Sequence, residues 1–296
     1  MNLLDNIKQT FKQGNSLIKL IYINVSVFLL LSLLDIALKL FTLSGSYIWT
    51  YLEVPSDLSQ LFYHFWTPLT YMFLHQSFMH IFFNMLALFW FGKIFLMHFS
   101  EKQLVGLYVI GGLLAAFLYI LVYNLFPYYS PVVHQSMLLG ASGSIMAIIV
   151  ATALQSPNME LQLLIIGNVK LKYIAMVAVL TSLFGITSNN GGGEIAHLGG
   201  ALAGYLFIVS LRQSRDLTKG VSSILDMIYN LFRPRKLRIK KNTYQKDTRM
   251  SDAEFNMSKA RKMADIDKIL DKIKTSGYES LSSEEKKRLF NQGNKN

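Results

Sequence analysis

Leu139-Gly140-Ala141-Ser142-Gly143-Ser144-Ile145-Met146-Ala147-Ile148-Ile149-Val150-Ala151-Thr152-Ala153 is an uncharged run headed by glycine and serine, and its reading decides the fold. Its apolar length predicts a membrane-embedded helix from Leu139 to Leu154, with the hydroxyl of Ser142 where that helix begins. Serine is a preferred N-cap, so the position has an ordinary structural use. It is also a place for a nucleophile, because the helix dipole puts positive potential there.

Five further apolar stretches accompany it: Leu20 to Phe41, Leu74 to Phe95, Leu104 to Phe126, Tyr173 to Ile186 and Ile195 to Leu211. A bilayer core about 30 Å thick takes about 20 helical residues. The last three of the six runs are shorter, which fits helices that stop inside a protein-lined cavity. The 296 residues are 52% hydrophobic and 16% charged, against about 25% charged in soluble domains. The fold class expected is therefore all-α, a polytopic membrane protein with six transmembrane helices. The absence of cysteine excludes disulfides and thiol catalysis.

The connecting segments orient the spans. Residues 42–71, 127–137 and 187–194 contain no Lys or Arg, whereas Lys8, Lys12, Lys19, then Lys93 and Lys102, then Lys170 and Lys172, lie in the alternate segments. Lys and Arg accumulate on the cytoplasmic side, so both termini are expected inside. The N-terminal residues carry no small-residue cleavage site and read as a retained cytoplasmic segment, with Leu3, Leu4, Ile7 and Phe11 on one face of a short helix. Lys39 is discordant, and snorkelling to the headgroups accounts for it. Asp35, in the first span, has no evident partner.

This topology starts spans two, four and six at the outer face. Each start carries polar residues that lipid would not favour: His75, His80 and Asn84 in the second, Ser142 in the fourth, His197 in the sixth. In span six, His197, Gly200 and Gly204 share a helical face, and Gly143, Ala147 and Ala151 form a matching stripe in span four. Small residues at this spacing allow close backbone approach, which would bring His197 beside Ser142. A neutral imidazole in reach of a hydroxyl is what an activated serine requires. His80 and Asn84, one turn apart, are candidate donors to an oxyanion, with the backbone N–H of Ser142. No acid completes a triad, since Glu194, three residues before His197, stands beside a glycine run and reads as a solvated loop residue.

These residues carry a resemblance. His-x-x-x-Asn (His80, Asn84), Gly-x-Ser-Gly (Gly140, Ser142, Gly143) and Ala-His-x-x-Gly-x-x-x-Gly (Ala196, His197, Gly200, Gly204) occur in the order and on the helices of rhomboid intramembrane serine proteases, which the chain resembles over roughly residues 66–211. The resemblance implies a six-transmembrane-helix rhomboid bundle in a bacterial cytoplasmic membrane, with its active site opening to the outer side. It implies a serine endopeptidase that cuts single-span membrane proteins with a Ser-His dyad and needs no cofactor or metal. Ser142 would be the nucleophile, His197 the base and acid, and His80 and Asn84 the oxyanion hole, with Gly143, Gly200 and Gly204 packing the helices near the site. The alternative is a catalytically silent rhomboid-like protein that binds and escorts transmembrane segments. A small transporter would call for paired intramembrane charges or internal repeats, and the sequence has neither.

The chain departs from the family at three places. Thr67 follows Trp66 where many members have arginine, Met146 stands four residues after the serine where an aromatic residue is frequent, and Leu96 replaces a glutamate. His64, His98 and His134 lack ligand spacing, and no His-Glu-x-x-His occurs, which argues against a zinc protease.

From Leu211 onward lie 21 of the 29 Lys and Arg. The cluster in residues 232–241 reads as a contact with anionic lipid headgroups rather than with nucleic acid. Residues 243–257 read as a polar linker, 258–275 as a helix stopped by Gly277, and Ser282 to Glu285 as a capping box for a final helix. The expected organisation is an N-terminal segment (1–17), the six-span domain (18–212), a basic juxtamembrane region and linker (213–257) and a small helical hairpin (258–296).

Overall fold

A computed structural model describes residues 11, 13–43, 45–163, 167–232 and 252–293. The amphipathic segment expected around Leu3, Leu4 and Ile7, and the basic run from Arg233, lie outside the described residues. The chain divides into two compact units, Met1–Arg233 and Pro234–Asn296.

The first unit is built from α1 (Ser16–Leu40), α2 (Phe78–Leu96), α3 (Glu101–Leu125), α4 (Ser142–Gln155), α5 (Leu171–Gly185), α6 (Gly191–Arg212) and α7 (Lys219–Phe232). α1, α2, α3 and α6 are long and apolar enough to cross a membrane, and α4 and α5 are shorter apolar helices. Polar caps begin several of them. The Asn15 side chain accepts from Ile18 N–H and that of Ser77 from His80 N–H, while Ser100 and Gln103 form a capping box. Hydropathy does not register such residues, so α1 and α3 start earlier than their apolar runs. α2 starts later, and His75 lies in the turn before it.

α6 corrects the expectation more sharply. It opens at Gly191, so Gly191, Gly192 and Gly193 are helical and Glu194 lies in the first turn. The glycines provide space rather than flexibility. A Cβ on Gly192 would stand 2.9 Å from the Tyr119 ring, and one on Gly191 would collide with the Ile186 carbonyl.

α6 packs between α3 and α4. Gly199 lies against α3, where a Cβ would stand 2.7 Å from Ala115 Cα, while Gly200 and Gly204 face the Gly143 and Ala147 carbonyls of α4. The core behind these contacts contains Tyr71, Leu88, Phe95, Leu104, Tyr108 and Phe207. Two of its hydroxyls are satisfied by backbone: Tyr71 Oη donates to Gly112 O at 2.6 Å, and Tyr108 Oη to Met72 O at 2.7 Å. Outward-facing Leu30, Leu33, Phe117, Leu183 and Phe184 are exposed, as a lipid-facing surface requires.

Asp35 has a partner after all. Lys39 Nζ lies 2.7 Å from its Oδ2, one turn along α1, so the two unexpected charges of the first span neutralise each other.

Two short antiparallel ladders depart from the all-helical expectation. β1 (Val54–Pro55) pairs with β2 (Met137–Leu138), and β3 (Glu160–Leu163) with β4 (Gly167–Lys170). The first ties the long α1–α2 connection to the segment that leads into Ser142. That connection also holds short helices at Leu58–Tyr63 and Thr67–Thr70. Thr67, in place of arginine, is fully buried and donates to His64 O at 2.8 Å, and the Trp66 indole N–H donates to Tyr51 O at 2.8 Å.

α7 falls in residues expected to be juxtamembrane chain. Ile224, Met227, Ile228 and Leu231 are exposed on it, and Asp226 pairs with Lys102 at 2.6 Å.

In the second unit α8 (Asp252–Ser276) begins within the expected linker, six residues before the anticipated start at Ser258. Gly277, at φ 78°, ends it, and α9 (Ser283–Gly293) follows. Ser282 N–H donates to Glu285 Oε2 at 2.8 Å and Glu285 N–H to Ser282 Oγ at 3.3 Å, the reciprocal capping bonds. Ile269 and Leu281 are the buried apolar side chains of this small unit.

Candidate active site

Three helix starts supply the site. In α2 the Ser77 cap fixes the first turn, with His80 three residues on and Asn84 one turn further. The Asn84 amide donates to the His80 carbonyl at 2.9 Å, and because an amide nitrogen carries two N–H groups, one remains. Asn84 is buried, and its neighbour His80 packs edge-on against His75, with ring centroids 5.1 Å apart.

The chain enters α4 through Gly140, whose φ of +127° only glycine adopts easily. Gly140 N–H donates to Tyr71 O at 3.0 Å. A Cβ here would also stand 3.2 Å from the His80 ring and 3.6 Å from Ser142 Oγ. Gly140 thus lies between the imidazole of one helix and the hydroxyl of the next. Ser142 is the first residue of α4 and not its cap: Ala141 is the N-cap and no side chain caps the helix. Ser142 Oγ has no hydrogen-bond partner among the described residues, so the ordinary use of a serine at this place is not made.

His197 lies in the second turn of α6. Its Nδ1 faces Ser182 Oγ of α5 at 3.1 Å and Glu194 Oε2 at 3.3 Å. Glu194 is therefore not a solvated loop residue, and its side chain is 18% exposed. The i,i+3 spacing of Glu194 and His197 was the signal that could have found it. Nothing in the sequence marked Ser182, a single hydroxyl in an apolar span that is buried in the structure.

Ser142, His197, His80 and Asn84 all line one cleft of about 490 Å3, whose wall also includes Phe83, Met146 and Ile149. Met146, at the position expected to be aromatic, packs with Val150 and Ala201. The site is one serine hydroxyl, one imidazole with a nitrogen left over, and a second imidazole and an amide opposite. Such a set can activate a hydroxyl and donate to an oxyanion. Among the described residues no group of three His, Cys, Asp or Glu is placed to hold a metal ion.

The remaining histidines are engaged elsewhere. His98 Nε2 lies 2.8 Å from Ser156 Oγ, His64 Nδ1 lies 3.0 Å from Gln60 O, and His134 pairs with Asp57.

A family model described as Rhomboid domain matches residues 63–214. A second, described as a family of unknown function (DUF6576), matches residues 251–292. Comparison with curated proteins gave no match.

Proposed function

The chain belongs to the rhomboid family, and on that premise we propose that it is an intramembrane serine endopeptidase that cuts peptide bonds in or near the transmembrane segments of single-span membrane proteins. The observation that carries this reading is the convergence of Ser142, His197, His80 and Asn84 on one cleft.

In this mechanism Ser142 Oγ attacks the scissile carbonyl carbon as its proton passes to His197 Nε2. The carbonyl oxygen becomes an oxyanion held by Ser142 N–H, Asn84 Nδ2 and His80. The tetrahedral intermediate collapses, the C–N bond breaks, and His197 gives its proton to the departing amine. Water then attacks the acyl-serine by the same route and frees Ser142. Neither Ser142 Oγ nor His197 Nε2 has a hydrogen-bond partner among the described residues, so each is free for the other, and nucleophile–base bonds often tighten only when substrate is present. Substrate helices that unwind readily are favoured, because a helix hides its carbonyls in hydrogen bonds.

We place six spans, α1 to α6, in a bacterial cytoplasmic membrane, both termini cytoplasmic, with the cleft opening to the outer side. The loop charges support this orientation. Residues 18–212 form the protease domain, 213–251 a membrane-surface region, and α8 and α9 a helical hairpin. In the surface region, the exposed apolar residues of α7 precede a run of Arg and Lys, a sequence suited to anionic lipid headgroups.

The test is cleavage of a tagged single-span reporter in proteoliposomes. Parent protein should release product and Ser142→Ala should not. Equal product from both would sink the assignment.

A further inference from the structure

Glu194 and His197 share the first two turns of α6, and a third group, Ser182, reaches the same imidazole from α5. We propose that Glu194 is the positioning residue of the His197 base, so that this chain works through a Ser–His–Glu relay in place of a bare dyad. The inference rests on the protease reading above and deepens it.

The geometry is specific. Ser182 Oγ stands 3.1 Å and Glu194 Oε2 3.3 Å from the same ring nitrogen, Nδ1. A carboxylate only accepts hydrogen bonds, so its bond to the ring places the proton on Nδ1 and leaves the lone pair on Nε2, the nitrogen a base must use. The glutamate is held in place: a Cβ on Gly185 of α5 would stand 2.8 Å from Glu194 Cγ, so its side chain lies close against that helix. Glu194 forms no ion pair with Lys or Arg among the described residues, and its acid lies in a first helical turn, where the dipole favours negative charge.

The groups facing His197 from its surroundings are Ser142 on α4, Ser182 on α5 and His80 on α2, with Tyr119 and Tyr123 of α3 behind Gly192. Of these and Glu194, only Glu194 supplies negative charge. When the Ser142 proton moves to Nε2 the ring becomes an imidazolium. A carboxylate at 3.3 Å stabilises that cation more than the neutral ring, and an interaction stronger in the transition state is one that accelerates the step. Ser182 holds the ring plane without charge.

Full-length protein in proteoliposomes tests this with the single-span reporter. Glu194→Gln keeps the bulk, removes the charge and offers Nδ1 a competing donor. We expect kcat to fall on the order of 100-fold at unchanged KM, short of the ~10⁴-fold seen for a buried triad aspartate because Ser182 remains. The acid limb of its kcat–pH profile should also move to lower pH by about one unit, as loss of a neighbouring negative charge demands. Glu194→Asp should keep that limb in place. A Glu194→Gln protein with parental kcat and an unmoved limb overturns the proposal. If that variant does not fold, the 15N spectrum of histidine-labelled Ser142→Ala protein decides, its His197 signals identified by His197→Asn: an Nδ1–H tautomer is expected, and an Nε2–H tautomer overturns the proposal. Cleavage by the parent and its loss in Ser142→Ala test the protease reading separately. An inactive parent sinks that reading, whereas an active parent indifferent to Glu194→Gln sinks only the carboxylate's role.

Discussion

Gly200 on α6 lies against the backbone carbonyl of Gly143 on α4, so close that a Cβ on Gly200 would overlap it. Gly143 directly follows Ser142, and Gly200 is one turn beyond His197. The contact that closes the helix pair is therefore also the contact that sets hydroxyl and imidazole on one cleft. Gly204 repeats it one turn deeper against Ala147, and the reverse face of Gly143 meets Ala115 of α3.

Gly200→Ala is accordingly expected to be costly. Its nearest neighbours are backbone atoms of Gly143, which have no rotamer to change, so α4 and α6 must separate. Overpacking a filled core costs about 1–3 kcal/mol, and the rigidity here argues for the upper end. Thermal unfolding in detergent should show a lowered midpoint, and residual folded protein should have a larger loss in kcat than in reporter binding. Unchanged stability and turnover would mean the two backbones do not meet.

Gly220 in α7 is the contrasting case. A Cβ there meets nothing within 4 Å, and its φ is ordinary for a helix. Gly220→Ala should leave cleavage unaltered and stabilise α7 by up to about 1 kcal/mol, the helix-propensity difference. Circular dichroism and the unfolding midpoint would read this, and a fall in either would show that α7 has a close neighbour at that point.

The two glycines also mark what the sequence could and could not disclose. The six apolar runs lie within a few residues of α1 to α6, because hydropathy over about 20 residues is a strong signal. The three polar helix starts were legible for the same reason, since Ser142, His80 and His197 interrupt apolar surroundings. Glu194 reads as a loop residue in the sequence because glycines usually break helices. Here Gly191 to Gly193 are helical, and the Ile186 carbonyl, the Tyr119 ring and the Asn190 side chain crowd their Cβ positions, which the glycine run itself does not disclose. Ser182 had no motif around it. The β1–β2 ladder is two residues long on each strand and separated by some eighty residues of chain, beyond any local pattern. α7 does carry one, with Val221, Ile224, Leu225, Ile228 and Phe232 at helical spacing, although the basic run that follows is the stronger feature of that stretch.

Asn84→Ala should separate binding from chemistry. The Asn84 side chain is buried, and its amide spends one N–H on the His80 carbonyl. Loss of that bond costs stability by about 1 kcal/mol. Loss of an oxyanion donor costs on the order of 100- to 1,000-fold in kcat. The expected result is a small shift in melting temperature with a large fall in kcat and little change in KM. A drop in kcat of only a few fold would assign Asn84 to helix packing alone.

Asp57 gives the α1–α2 connection a predictable pH dependence. Its Oδ1 accepts from Ser59 Oγ at 2.6 Å and from Ser59 N–H at 2.7 Å, and its Oδ2 faces His134 from the α3–α4 connection. The Ser59 hydroxyl first, and His134 second, hold the carboxyl well below the ordinary range near 3.8. The folded protein thus binds this proton more weakly than the unfolded chain does. Its stabilising contribution is complete above the ordinary carboxylate range and is lost as pH falls through it toward the depressed folded value. The unfolding midpoint of the parent should therefore fall below about pH 4 more steeply than that of Asp57→Asn. His134→Ala should keep most of the parental slope, because Ser59 is the larger cause. Parallel slopes for parent and Asp57→Asn between pH 5 and the acid limit would show that this carboxylate is not tied down in the folded state.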